Sequence, residues 1–322
     1  MAIQYDSNQM PWLEPKHINL REVANDFVLL GADATIKKHA LSSTEWDEAV
    51  QEIASVYRKG ATSHGDVKNA TVNTALASQA LCFPPYGTVA ELQEVERLLN
   101  LSTPDIASIK KIVFSIVMHP RFRALQLVGR FMKVAPFDEF AYLIDAATLS
   151  LYRGNIPSAF MTIVPVIEGI LLRWQGYPGT LTKKPSFNET LAFIHDSPNR
   201  QPMPLLPLFF DSWIVVAEKI LKDHLYRNTV AGPSVDNFNR HLALHLLDDQ
   251  AFGTQENVTR AFLLVDVLSE IFICENRIED PRWNTTDKEE SPHFEAYVAT
   301  LISQASANSP ERILSKTHSK CK

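Results

Sequence analysis

Residues 238–257 read FNRHLALHLLDDQAFGTQEN and run directly into VTRAFLLVDVLSEIFICE at 258–275. The second half sets the fold class. Thr254 is a natural N-cap and Glu256 falls in the favourable first turn, so a helix is expected over about 255–276. Phe262, Leu263, Leu264, Val265, Val267, Leu268, Ile271 and Phe272 spread apolar surface around much of its circumference. Such breadth fits a central helix, or one that also forms part of an interface, and not the one-sided helix of a protein surface. Elsewhere the chain holds only 11 glycines and shows no sustained alternation of apolar and polar residues, so the expectation is an all-α protein.

Outward from that helix, helical stretches are expected at about 18–40, 44–59, 66–82, 88–100, 104–118, 120–134, 137–153, 156–175, 186–195 and 205–228. Ser43 or Thr44 caps the second of these and Gly60 stops it. Phe83-Pro84-Pro85-Tyr86-Gly87 is a break, and Pro104 and Pro120 suit first helical positions. Pro165 should kink the helix that contains it. Residues 176–203 form the longest loop-like region. At 322 residues the chain can bury two ordinary cores, and Ala135-Pro136 marks the expected boundary. This gives a helical N-terminal domain at 1–135, opened by an extended arm over the first fifteen residues, a second helical domain at 136–305 and a disordered tail at 306–322.

Hydrophobic residues at 45% and charged residues at 21% are globular values. No run is expected to reach the roughly 18 apolar residues of a membrane span, and the mixed, polar Met1–Pro15 does not read as a basic-then-apolar leader. Three widely spaced cysteines, Cys82, Cys274 and Cys321, fit a reducing cytoplasm. A net charge of −6 argues against a protein that coats nucleic acid by bulk electrostatics, so any RNA contact should be local.

The chemistry concentrates in Asn239, Arg240, His241 and His245. On a helix, positions four apart lie about 40° from one another, so both imidazoles can meet one ligand. Over 235–247, Val235, Phe238, Leu242 and Leu246 form the core stripe, with His245 at its edge and Arg240 about 140° from His245. Those two side chains converge only if the helix begins or kinks near Asn239, or if two chains complete one site.

Arg240-His241-Leu242-Ala243-Leu244-His245 resembles the Arg-(Asn/His/Asp)-x3-His signature of HEPN-superfamily ribonucleases, and the Gly253-Thr254-Gln255-Glu256 turn with its apolar helix is similar to their setting in bacterial C-terminal HEPN domains. The resemblance covers roughly the last half of the chain. It implies a HEPN-like helical bundle at 136–305, a homodimer, and metal-independent cleavage of RNA in defence or stress, with no cofactor. His245 would transfer a proton, Arg240 would stabilise phosphorane charge, and His241 or Asn239 would position the substrate. His245-Leu246 departs from the His-Gly common in relatives. The competing expectation is a catalytically silent helical module that binds RNA, a nucleotide or a protein partner.

Three further features carry alternatives. Glu168, set among apolar residues, needs a partner: it is either a structural ion pair or the group that orients Arg240 or a histidine. Asp266 either reaches a motif histidine or belongs, with Thr259 and Glu270, to a solvated face. Residues 106–137 hold Lys110, Lys111, Arg121, Arg123, Arg130 and Lys133 with no acidic residue. That interval is either a phosphate-facing surface or a face paired with carboxylates from other helices. His241, His245 and Asp249 form an i, i+4 ladder that could hold a metal, but Leu242 stands where a zinc protease has its glutamate, and no metal site is assigned.

Overall fold

The computed structural model describes residues 22–24, 26, 32–60, 64–201, 204–306 and 308–313. The expected N-terminal arm, the start of the helix at 18–40, Cys321 and most of the expected disordered tail lie outside them; residues 310–313 are helical. The described residues form an all-α protein with no strand. In chain order come α1 (Ala32–His39), α2 (Ser43–Gly60), α3 (His64–Leu76), α4 (Val89–Leu99), α5 (Ile106–Val117) and α6 (Pro120–Gln126), which widens into a π turn over Leu127–Phe131. Then follow α7 (Ala141–Tyr152), α8 (Ile156–Trp174), α9 (Phe187–His195), α10 (Ser197–Arg200) and α11 (Pro207–Ile220), with a second π turn over Leu221–Leu225. The last are α12 (Arg240–Leu244), α13 (Asp249–Gly253), α14 (Gln255–Glu275) and α15 (Asp287–Ala305).

Local chemistry explains the starts. Ser42, one residue before the expected cap, accepts from the Glu45 N–H, and the Glu45 carboxylate accepts from the Ser42 N–H. Thr88 with Glu91, Ser186 with Glu189 and Thr286 with Glu289 build the same reciprocal box. Pro120 occupies the first turn of α6 as expected. Helix α8 runs unbroken through Pro165, which sits on an exposed position where the missing amide hydrogen costs least.

Helix α14 is the centre. Seventeen of its 21 residues are buried, and α5, α8 and α11 pack around it. Each large side chain it buries contributes roughly 1.5–3 kcal/mol before conformational entropy is subtracted. One continuous cluster of buried side chains extends from Val72 to Tyr297, and the boundary expected at residue 135 falls inside it. A small separate cluster gathers Val23, Ala24, Ala49 and Ile53. Ile156–Trp174 is long and apolar enough to cross a membrane by length and composition, contrary to the expectation of no such run. Here its apolar face packs against α7 and α14 and buries Phe160, Ile163, Ile167 and Ile170.

The polar side expected on α14 is not solvated: Thr259, Asp266 and Glu270 are all buried. Asp266 Oδ2 accepts from Arg123 Nη2 and from the Tyr86 hydroxyl, each at 2.5 Å. Arg130, carried by the first π turn, reaches Glu270 Oε1 at 2.5 Å and Asp280 Oδ2 at 2.6 Å, and Arg282 closes the network on the same two carboxylates. Arg260 reaches Asp236 at 2.6 Å. Burial pushes the Asp266 carboxyl up even though the Arg123 guanidinium opposes the shift.

These pairs correct the reading of 106–137 as a phosphate-facing surface. Arg123 and Arg130 are buried among carboxylates and cannot meet RNA. Lys110 pairs with Asp236 at 2.6 Å, Arg121 with Glu290 at 3.1 Å and Lys133 with Glu289 at 3.1 Å. Lys111 stays exposed. The interval lacks acidic residues because its carboxylates come from α14, α15 and the turns beside them.

Candidate functional site

The motif helix is far shorter than the wheel over 235–247 assumed. Val235–Asn237 form a 3-10 turn with left-handed backbone at Asp236 and Asn237, and only Arg240–Leu244 are α-helical. Asn239 ends the turn and starts the helix. Its Oδ1 accepts from the His241 and Leu242 amides at 2.8 and 3.2 Å, while its Nδ2 donates to the Arg227 carbonyl at 2.7 Å. Asn239 is thus a buried cap that fixes α12 on the chain below and does not face a substrate, which corrects the positioning role expected of it.

Beyond the helix, Leu247 N–H returns to the Leu242 carbonyl at 2.8 Å and Leu246 N–H to the Ala243 carbonyl at 3.0 Å. This pair of bonds is the Schellman closure, and its left-handed position is Leu246 at φ 53°. Leu246 is also 67% exposed, so it is not part of the core stripe expected of it. A leucine there bears the left-handed backbone cost that glycine would not.

The loop before α12 is pinned from below by two residues of α14. Asn257 Nδ2 donates to the Asp236 carbonyl at 2.9 Å, and Arg260, buried with its pKa lowered chiefly by desolvation, holds the Asp236 carboxylate. Neither was expected to support the site. Their signal in the sequence was a polar pair inside an otherwise apolar helix, which needs partners wherever it is buried.

Two groups of side chains emerge on this frame. His241 and His245 are exposed, with ring centroids 4.5 Å apart, as the four-residue spacing predicts. Arg240 departs from the other side of α12. Its Nη2 meets Glu168 Oε2 at 2.8 Å, and its guanidinium lies 5.2 Å from the centre of the Tyr226 ring. Glu168 therefore takes Arg240 as its partner, one of the two roles its apolar setting suggested. Its other oxygen accepts from Lys184 Nζ at 2.6 Å. Gly169 lets α8 approach the Phe140 ring, where a Cβ would stand 2.6 Å from it, and this seats Glu168 beside the motif.

Glu168, Lys184, Ser186, Thr190, Tyr226 and Arg240 line a half-open cavity of about 280 Å³ between α8, the start of α9 and α12. Tyr226 is stacked on Phe187 at 4.5 Å, and burial with the nearby Glu168 carboxylate pushes its hydroxyl pKa up. Lys184 and Tyr226 were not singled out in the sequence, because nothing local distinguishes a loop lysine or a helix-end tyrosine from their many equivalents. Asp266, by contrast, is held by Arg123 and Tyr86 and does not serve the motif histidines. Among the described residues no group of three His, Cys, Asp or Glu side chains is placed to hold a metal ion, so His241, His245 and Asp249 do not form the ladder their spacing allowed. Helix α12 ends at Leu244, before that third position. In comparisons with protein-family models, with curated proteins and with solved structures, nothing matches this chain.

Proposed function

We propose that the chain is a metal-independent endoribonuclease of the HEPN type, working through His241 and His245. The observation that carries this reading is the exposed imidazole pair at 4.5 Å, one residue from an arginine oriented by a carboxylate. Two adjacent imidazoles can supply both proton transfers that transesterification needs. One takes the proton of the RNA 2′-hydroxyl as its oxygen attacks the neighbouring phosphorus. The bond from phosphorus to the 5′-oxygen breaks, and the other imidazole protonates that leaving oxygen. The products are a 2′,3′-cyclic phosphate and a 5′-hydroxyl. Arg240, on the other side of α12 in an orientation set by Glu168 and Tyr226, holds the RNA backbone next to the reacting phosphate. The reading carries with it a homodimer, which the mass of the protein in solution tests.

The experiment is cleavage of a broad RNA pool in EDTA by the wild type and by His245→Ala, with the 3′ ends assayed for cyclic phosphate. Cutting that persists in EDTA and disappears in the variant is the expected result. A folded wild type that cuts nothing turns the reading to a helical module that binds without catalysis.

A further inference from the structure

The cavity beside Arg240 does not contain the histidines, but in it two cations face one carboxylate beside an open hollow. Lys184 Nζ and Arg240 Nη2 sit on opposite oxygens of Glu168, at 2.6 and 2.8 Å, so the three groups carry a net charge of about +1. Arg240 Nε is buried without a partner among the described residues, which leaves its guanidinium short of hydrogen bonds. The start of α9 adds little, because Glu189 already serves that helix end through its box with Ser186. Tyr226 is likewise taken: its ring stacks on Phe187 and carries the guanidinium, so it sets the arginine's place and does not receive a base. What remains is a half-open hollow of about 280 Å³ with one unit of positive charge and hydrogen-bond donors on a fixed frame.

From these observations we infer that the cavity is a phosphodiester subsite, in which Lys184 and Arg240 grip a backbone phosphate next to the one held at His241 and His245. This rests on the ribonuclease reading and deepens it. A phosphodiester carries a single negative charge and neutralises the hollow, whereas a dianionic monoester would leave it one charge in excess. Glu168 then has two effects. It orients Arg240, and it competes with the incoming phosphate for both cations. Lys184 is a binding residue that the motif does not contain.

The test uses a fluorescently labelled 2′-O-methyl RNA oligonucleotide, which lacks the attacking hydroxyl and cannot be cut, and reads its binding by anisotropy across a salt series. Lys184→Ala should weaken binding about tenfold and reduce the slope of log K against log salt by about one, while Lys184→Arg restores both. Glu168→Gln should tighten binding severalfold while slowing the cutting of ordinary RNA, a split that loss of structure would not produce. Lys184→Ala binding with unchanged affinity and slope, or Glu168→Gln weakening binding in a folded protein, overturns the subsite. A wild type that binds the oligonucleotide through Lys184 but never cuts RNA upholds the subsite and removes only the nuclease.

Discussion

Replacing Arg123 by methionine tests how the core is held and whether this arginine belongs to it. The Arg123 and Asp266 side chains are 1% and 0% exposed, and their contact is 2.5 Å. Removing the cation leaves a carboxylate with only the Tyr86 hydroxyl, and breaking a buried pair in this way costs about 3–5 kcal/mol. Against a typical stability of about 5–15 kcal/mol that is a large fraction. With a slope near 3 kcal/mol per molar, the urea midpoint should fall by about 1–2 M. The loss should shrink in acid. Without Arg123 the buried carboxyl has a folded-state pKa far above its unfolded value, so the folded state takes up protons first and gains relative stability as pH falls toward that unfolded value. Adding Asp266→Leu and Tyr86→Phe removes the stranded partners and should recover most of the midpoint. A single variant within about 1 kcal/mol of the wild type, or a loss that grows in acid, would refute the assignment of Arg123 to the core.

Other outcomes follow from the same structure. Asn239→Ala removes a helix cap and its hydrogen bond to the Arg227 carbonyl, so it should cost about 1–2 kcal/mol in urea unfolding and lower any cleavage rate through displacement of α12. Leu246→Gly should raise the melting temperature or leave it unchanged, because the left-handed backbone at φ 53° suits glycine and the lost side chain was mostly exposed. A clear loss of stability in that variant would mean that the leucine makes a contact of its own. His224 is buried with its pKa lowered below the ordinary 6.5, mainly by desolvation. The unfolded chain therefore binds the proton first, and stability present above about pH 6.5 is lost as pH falls toward the folded-state pKa. His224→Gln should flatten unfolding free energy between pH 7 and 5 relative to wild type; equal slopes would count against it.

The sequence disclosed elements more readily than their partners. Helix α14 was legible to within a residue, because its apolar breadth and its Thr254 cap are both local. Helix α15 is not legible from its apolar pattern although Thr286 and Glu289 announce its start, since its acidic first turn and Pro292 hide that pattern. The imidazole pair and the link between Glu168 and Arg240 could be anticipated, one from helical spacing and the other from the cost of a lone carboxylate in apolar surroundings. The five-residue length of α12 could not. It depends on the Asp236 backbone and on Arg260 and Asn257 reaching up from α14, contacts that no local pattern announces. The basic run at 106–137 misled for the same reason, because its counter-charges lie 126–169 residues away.

A helix as uniformly apolar as α14 has no preferred rotation on hydrophobic grounds alone, since turning it by one residue presents leucine or valine to its neighbours again. Arg260, Asp266 and Glu270 remove that degeneracy. Asp266 and Glu270 share one face, and Arg260 points about 80–120° away from them, so any rotation or one-turn slip strands a buried charge on at least one side. The ionic contacts act as keys in an oiled shaft: apolar burial drives the helix inward, and three charged side chains fix its angle and height. The motif loop hangs from one of those keys through Asp236, so the placement of His241 and His245 is tied to the angular setting of the core helix.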